Sequence, residues 1–570
     1  MKNKMVASVL YEIADLLDIK GDVFFKTRAY RIAAQTIEVL DEDVEKLVKD
    51  DRLKEISGIG DALAKKITEL VLTGKLDYFE KLKKEIPEGL LDMLEIPGLG
   101  PKKVSALFNI LEIKDIDQLR NACEKGKLRD LDGFGEITER NILRGIKMKE
   151  KTSGRVLLNI ALENGEQYYN YMKECKDVIR ISIAGSLRRK KETIGDLDLL
   201  VSSKKPEEVM DFFTDYSEVS QVLLKGVTKT SVVLNDNIQV DLRVVEDKSF
   251  GAALQYFTGS KEHNVKMRGL AIKKGFKLNE YGIFEKDTER FISGKDESEI
   301  YKTLGLDFIE PELRENRGEI EAAANNKLPS LIKLDDIKGE LHVHSNYSDG
   351  FEKIQDIAKT CSEMGYEYVG IADHSQSLKV ARGLSENALL KKKKEIEKVN
   401  DKNPKIKVLF GTECDIKPDG SLDYPDKILS SFDYVGLGIH MSFKMTPEQA
   451  TQRICRAIEN EYVTFLAHPT CRLIGRREPL PFDVEKVIDK AVETNTLLEI
   501  NSFPDRLDLN DIYVKIAKEK KAKFLISTDS HYMNHLSYMR YGVYVARRGW
   551  LEKKDVINTK SFTELMKYLK

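Results

Sequence analysis

The sequence predicts a multidomain chain that passes from an α-helical region, through an α+β region, to a C-terminal α/β barrel, and three patterns predict it. A GxG turn with an apolar residue between its glycines recurs three times before residue 150, each time ahead of an amphipathic helix. The stretch 184–201, AGSLRRKKETIGDLDLLV, puts two carboxylates on one face of a strand, just after a small-residue turn. Beyond residue 336, seven short apolar strands alternate with helical segments, which implies a parallel sheet closing into a distorted TIM-like (β/α)7 barrel.

Bulk properties narrow the function classes. A chain of 570 residues has room for several cores at roughly 100–200 residues each. With 41% hydrophobic and 33% charged residues it reads as soluble and globular rather than disordered. No apolar run approaches the roughly 20 residues a bilayer span needs. The opening MKNKMVASVLYEIADLL reads as an amphipathic helix and not a signal segment, so a cytoplasmic protein without a membrane partner is expected. The six cysteines, Cys123, Cys175, Cys361, Cys414, Cys455 and Cys471, form no CxxC pair and are expected as reduced thiols. A formal net charge of −2 excludes a basic coat, so any grip on nucleic acid must come from local devices.

Gly58 and Gly60, Gly98 and Gly100, and Gly133 and Gly135 are the three turn pairs. Glycine admits positive φ and lets a phosphate reach the backbone, and the helix that follows presents unpaired N–H groups at its positive dipole end. A single such turn is equally a helix end before a new helix. Three in register point to DNA, and they resemble the helix-hairpin-helix motif, which holds the backbone without reading bases. Nearby, Lys26, Tyr30 and Arg31, with Lys66, are expected to line a pocket for a 5′-phosphate, the alternative being a solvated helix end.

In the α+β region, Asp196 and Asp198 share a face while Leu197, Leu199 and Val201 take the other. The strand 238–245 carries Asp241 opposite its apolar Ile238, Val240, Leu242 and Val244. Three aspartates on two neighbouring strands make a site for two divalent ions, Mg²⁺ or Mn²⁺, of the kind that activates a 3′-hydroxyl and stabilises a leaving diphosphate. Gly185 and Ser186 form a phosphate-sized turn, with Arg188 and Arg189 as charge partners. A lone DxD is common on surface strands, whereas this combination points to nucleotidyl transfer.

These motifs, with ALQYFTGS at 253–260, Asn264, Met267, Arg268 and KLNEY at 277–281, resemble the family X DNA polymerases, the DNA polymerase beta-like group, across nearly all of residues 1–315. The resemblance implies Asp196, Asp198 and Asp241 as metal ligands, and Ser186 and Arg189, with Gly185, at the triphosphate. Arg155 matches a further triphosphate arginine by spacing alone. Tyr256 and Phe257 would lie beside the incoming sugar with Gly259 nearby, Asn264 at the incoming base and Arg268 on the template side. The same resemblance divides the chain into an 8-kDa-like domain (1–92), a fingers or duplex-binding domain (93–150), a nucleotidyltransferase palm (151–258) and a thumb (259–316). Lys66 falls where lyase-competent members place their Schiff-base lysine. Ala62 replaces a lysine of that pocket, and a solvated helix residue is the alternative.

After a linker at 317–335, residues 336–570 form the barrel. Of eight histidines, six (His342, His344, His374, His440, His468 and His531) stand at the C-terminal ends of strands, the face where barrel sites are built. With Asp349, Glu413 and Asp529 they make nine ligands, enough for three metals. The HxH start and this set resemble the PHP domain, found fused to bacterial and some archaeal family X polymerases in this order. The family pattern implies one ion on His342, His344, Glu413 and Asp529, a second on Glu413, His440 and His468, and a third on Asp349, His374 and His531, the ions being Mn²⁺ or Zn²⁺. It also implies 3′→5′ exonuclease chemistry, with abasic-site endonuclease and 3′-phosphatase activities as extensions. Arg472, Arg476 and Arg477 are expected either to hold DNA or to lie in a solvated loop. The whole reads as a monomeric DNA repair polymerase for gap filling in base excision repair, acting on gapped or primer-template DNA with dNTPs. Two alternatives stay open for the second half, a structural metal domain and a phosphatase for small monoesters.

Overall fold

The computed structural model describes residues 2–21, 24–38, 40, 42–56, 58–87, 89–94, 96, 99–129, 131, 133–152, 154–403 and 405–569. The chain divides into two compact units, residues 1–153 with 475–478, and residues 154–474 with 479–570.

Among the described residues of the first unit all regular structure is helical: α1 Lys2–Lys20, α2 Phe24–Glu38, α3 Val44–Lys49, α4 Asp61–Thr73, α5 Asp77–Glu85, α6 Gly89–Leu94, α7 Pro101–Leu111, α8 Ile116–Glu124 and α9 Glu136–Thr152. Apolar residues at three- and four-residue spacing, such as Val6, Leu10, Ile13 and Leu17 on α1, make one core with Ala33, Ile37, Ile67 and Leu70. The turns follow the sequence reading. Gly58 (φ +89°) and Gly133 (φ +77°) take the left-handed conformation, and a side chain at Gly58 would stand 2.8 Å from Ile32 Cγ2. Gly60 and Gly100 are the extended caps of α4 and α7. Gly98 lies outside the described residues.

The second unit begins with a short pair, β1 Val156–Leu157 against β3 Thr193–Ile194, and α10 Leu158–Lys173. Its main sheet has the order β2-β4-β7-β6-β5, with β2 Arg180–Ile183, β4 Asp196–Ser202, β5 Val219–Lys225, β6 Lys229–Leu234 and β7 Gln239–Val245. The one-turn helix α11 Gly185–Arg188 joins β2 towards β3, and α12 Pro206–Thr214 follows β4. Then come α13 Phe250–Thr258, α14 Lys261–Lys273, the meander β8 Phe276–Asn279, β9 Gly282–Glu285 and β10 Phe291–Ser293, and α15 Glu297–Thr303.

Residues 317–335, expected as a linker, are packed in place. The helix α16 Glu319–Ala324 buries Glu319 against His263 Nδ1 at 2.7 Å, and Ile332 N donates to Leu551 O at 3.0 Å.

The barrel strands are β11 Gly339–Val343, β12 Tyr368–Ile371, β13 Lys407–Asp415, β14 Tyr434–Gly438, β15 Phe465–Leu466, β16 Leu497–Asn501 and β17 Phe524–Ser527, all parallel and paired in sequence order. They are the seven strands read from the sequence. His344 N bonds Ser530 O at 2.8 Å and nearly closes the barrel. Between and after them run α17 Ile354–Glu363, α18 Glu386–Lys402, α19 Asp426–Leu429, α20 Pro447–Ile458, α21 Val484–Glu493, α22 Asp511–Glu519 and α23 Met539–Arg548. Tyr434 fills the interior only because Gly411 faces it: a Cβ there would sit 2.1 Å from the ring.

Candidate active sites

The first site stands on β4 and β7, two interior strands of the main sheet. β4 alternates, with Leu197 and Leu199 buried and Asp196 and Asp198 half-buried, and it runs parallel to β7 with Asp198 beside Asp241. Ligand oxygens of Asp196, Asp198 and Asp241 lie within 4.8 Å of one another. Burial, then Asp196 and Asp241, push the Asp198 carboxyl up to about 7. Like charges held this close call for a cation, and Lys229 Nζ supplies one at 2.6 Å from Asp241 Oδ2 while Gln239 donates to the other oxygen at 2.9 Å. Gly185 (φ +61°) makes the approach of α11 feasible, since a Cβ would fall 2.0 Å from Asp198 Oδ2.

One cleft of about 550 Å³ is lined by Arg155, Gly185, Ser186, Arg189, Asp196, Asp198, Tyr256, Phe257, Gly259, Asn264 and Arg268, so it gathers the nucleotide-contacting residues expected from the sequence except Arg188. Lys191 and Lys261 also line it, and sequence reasoning passed over both, although each flanks a motif it used. Tyr256 and Phe257 meet edge to face at 5.2 Å. Asn264 donates to Tyr256 O at 2.7 Å and accepts from Gln255 Nε2 at 2.8 Å. Arg155 is held on Thr193, Nε to Oγ1 at 3.0 Å. The two arginines expected to act together diverge. Arg189 faces the cleft, whereas Arg188 forks onto Glu297 at 2.8 and 2.7 Å and onto Thr258 Oγ1. Glu297 also takes buried Arg314 at 2.5 Å, so Arg188 is an internal ion-pair partner and not a phosphate ligand.

The second site is a cup at the C-terminal ends of the barrel strands. Glu413, on β13, sits at its centre. Its Oε2 faces His342 Nε2 (3.5 Å) and His344 Nε2 (3.7 Å), and Asp529 Oδ1 faces the same nitrogens at 3.6 and 3.2 Å. The other Glu413 oxygen faces His440 Nε2 (3.2 Å) and His468 Nε2 (2.8 Å). Asp349 Oδ2 faces His374 Nε2 (3.5 Å) and His531 Nε2 (3.3 Å). All nine expected side chains therefore converge, in three sets that also touch: His374 Nδ1 lies 3.0 Å from Glu413 Oε2.

Buried donor and acceptor atoms aimed at nothing but each other are costly unless a cation lies between them. Both Glu413 oxygens, His342 Nε2 and both His344 nitrogens lack a hydrogen-bond partner, and such a set fits divalent ions. Burial and the neighbouring His531 and His374 hold His344 down at about 4, keeping its imidazole neutral as a metal ligand requires. His468 (φ +27°) and Asp529 (φ +52°) hold left-handed backbone that non-glycine residues seldom adopt.

Sequence reasoning missed the shell that aims these ligands. Fully buried Glu499 on β16 accepts from His342 Nδ1 at 2.5 Å and from the His468 backbone N–H. Asp415 Oδ1 lies 3.0 Å from His440 Nδ1, and Asn501 Nδ2 donates to Asp529 at 3.2 Å. The available signal was a lone acid, and an amide two residues on, in the otherwise apolar strand LLEIN. Arg472, read either as a DNA contact or as part of a solvated loop, is neither: it is 8% exposed and forks onto Glu192 at 2.7 and 3.3 Å.

In the helical unit, Lys66 Nζ donates to Tyr30 OH and lies 3.8 Å over the Tyr78 ring, and Lys26 Nζ lies 5.6 Å over the same ring. Burial, then Lys26, lowers the Lys66 pKa. Arg31 does not join this group. One residue on from Tyr30 the α2 surface has turned by about 100°, and Arg31 binds Asp15 (2.6 Å) and Asp18 (2.9 Å) on α1. Among the described residues no helix is long and apolar enough to cross a membrane.

Comparison with known proteins agrees with this layout. A helix-hairpin-helix domain profile matches residues 1–76, a SAM-like helix-hairpin-helix tandem 90–148, a DNA polymerase beta thumb 253–315 and a PHP domain 340–503. The chain is 38% identical over 572 residues, the whole of both chains, to the DNA polymerase/3′-5′ exonuclease PolX of Bacillus subtilis (strain 168). It is 23% identical to DNA polymerase lambda of Arabidopsis thaliana over 49% of this chain and 56% of the relative. A probable phosphatase of Acetivibrio thermocellus is 28% identical over 34% of this chain and 78% of its own length.

Proposed function

The chain belongs to the family X DNA polymerases that carry helix-hairpin-helix and C-terminal PHP domains, and on that premise we propose that it fills short DNA gaps at the palm cleft and trims 3′ ends at the histidine cup. The observation that carries the reading is the cleft itself, which joins the Asp196 and Asp198 carboxylates, the Gly185-Ser186 turn and the Tyr256-Phe257 pair in one space. Asp196, Asp198 and Asp241 would hold Mg²⁺ or Mn²⁺, which when bound lowers the pKa of a 3′-hydroxyl and neutralises the leaving diphosphate. Ser186, with the N–H groups opening α11, and Arg189 would receive the triphosphate. Tyr256 and Phe257 would occupy the space of a ribose 2′-hydroxyl, and Asn264 and Arg268 would flank the nascent pair.

At the cup, Glu499 and Asp415 take the Nδ1 side of His342 and His440 and so turn each Nε2 inward. The nine ligands would hold up to three ions, Mn²⁺ or Zn²⁺, which supply a hydroxide nucleophile and charge neutralisation for phosphodiester hydrolysis. The hairpin glycines would hold the DNA backbone. Lys26, Tyr30 and Lys66 would meet a 5′-phosphate, and the depressed Lys66 amine supports a Schiff-base role. The phosphatase relative favours a second reading of the cup, turnover of phosphomonoesters.

A time course on 5′-phosphorylated gapped DNA with Mg²⁺ or Mn²⁺, with and without dNTPs, tests the scheme in the full chain. Asp241→Ala is expected to abolish nucleotide addition and spare hydrolysis, and His440→Ala to do the reverse. Loss of both activities from either substitution in folded protein overturns the two-site reading. Monoester turnover faster than DNA turnover selects the phosphatase reading of the cup.

A further inference from the structure

Between α11 and β3, the loop 189–192 follows the phosphate turn, and barrel residues hold it at three points. Arg472 forks onto Glu192 at 2.7 and 3.3 Å. Lys190, at φ +55°, puts its ammonium 4.9 Å over the Tyr544 ring of α23. Arg548, the last residue of α23 and 4% exposed, donates from Nη1 to the Arg189 main-chain oxygen at 2.7 Å and to Glu315 Oε1 at 3.1 Å. That same Glu315 oxygen accepts from Arg189 Nε at 3.0 Å, and Arg189 Nη1 donates to Thr258 O. Arg548 is itself fixed by Asp511, at 2.7 Å from Nη2, and Asp511 is shared with Arg317 at 2.9 Å.

Arg189 thus has its backbone tied to Arg548 and its side chain tied to a carboxylate that Arg548 shares. Two guanidinium groups on one half-buried carboxylate are held in mutual register, because removing either leaves the other with an unbalanced partner. We propose that Arg548, supplied by the hydrolytic barrel, is a positioning residue for nucleotide addition, setting the Arg189 guanidinium through Glu315. The barrel then forms part of the nucleotide site independently of its own chemistry. The proposal rests on the reading above that Arg189 meets the triphosphate.

The test compares steady-state gap filling by full-length variants, with 3′ trimming and thermal midpoint measured in parallel. Arg548→Gln is expected to raise the KM for dNTP by about tenfold or more, the scale of one misplaced charge-assisted contact, with trimming unchanged. Arg548→Lys should not restore it, since a single ammonium cannot span Glu315, Asp511 and the Arg189 carbonyl together. The neighbouring Arg547→Gln serves as the control. Arg547 binds Glu312 at 2.8 Å and Ile332 O at 3.1 Å, so its loss weakens the same interface without touching Arg189. A KM for Arg548→Gln no higher than that for Arg547→Gln overturns the proposal. Arg189→Gln separates the two failures: if it leaves KM unchanged, the triphosphate reading falls and the proposal with it, and if it raises KM while Arg548→Gln does not, the proposal alone falls.

Discussion

The palm cleft and the barrel cup gather cations by opposite constructions. In the cleft, three carboxylates from two strands crowd together, two of them half-exposed, and Lys229 Nζ meets one of them, Asp241, at 2.6 Å. In the cup, ligands such as His342, His344 and Glu413 are at most 1% exposed, and buried acids such as Glu499 fix the far side of their rings. On the proposed reading, the cleft would be completed by an arriving nucleotide and its ions, whereas the cup would hold its ions in a preorganised shell. Fragility should therefore differ. The cleft should fail when its shape changes, and the cup when its supporting charges do.

The largest effect expected from this contrast is at Gly185. Gly185→Ala would drive a methyl group to 2.0 Å from Asp198 Oδ2. Primer extension should fall by more than about a hundredfold, as small misplacements of reacting groups do, while 3′ trimming stays at the wild-type rate. Near-normal extension would mean that the cleft is as tolerant as an open surface.

Glu499→Gln should sharpen the other side. With the charge behind His342 removed, metal titration of the cup followed by calorimetry should show affinity weakened by roughly ten- to a hundredfold. Primer extension should not change. An unaltered titration would show that the cup does not depend on its outer carboxylates.

A smaller effect concerns the charged seam between the two regions. Burial works to raise the Asp511 carboxyl, but Arg548 and Arg317 outweigh it and hold it at about 2, below its ordinary 3.8. A carboxylate depressed in the folded state adds stability above its unfolded pKa and loses it as pH falls through the folded value. Thermal midpoints should therefore decline between about pH 4 and about pH 2, and Asp511→Asn should flatten that decline. An unchanged pH profile in Asp511→Asn would remove this seam from the stability of the unit.

What the sequence makes legible here is chemistry carried by local periodicity. Alternation in a strand places Asp196 and Asp198 on one face, and strand ends gather the histidines, so both centres could be read without knowing the packing. Residues whose role depends on which neighbour they meet could not. Arg188 and Arg189 are adjacent, yet the step of about 100° from one residue to the next at the end of α11 sends one to Glu297 and the other to the cleft. Arg31 is basic and beside Tyr30, but α1 offers it two aspartates. Glu499 looks like an intruder in an apolar strand until the barrel closes and brings His342 against it from 157 residues away. The stretch 317–335 is polar enough to pass for a tether, and only its partners, His263 and Leu551, show that it is packed.

The seam at Arg548, Glu315 and Arg189 also decides where this chain can be cut. Scissors applied near residue 335 would part a polymerase from a hydrolase on paper. In the molecule that cut would take Arg548 from Glu315, leaving it Arg189 alone, and Arg547 from Glu312. The severed half would expose acids shaped for partners that no longer exist. The joint that separates compact bodies lies near residue 153 instead. A weakened truncated polymerase would therefore report an amputation wound, and point substitutions in the intact chain are the cleaner way to ask whether the two chemistries speak to each other.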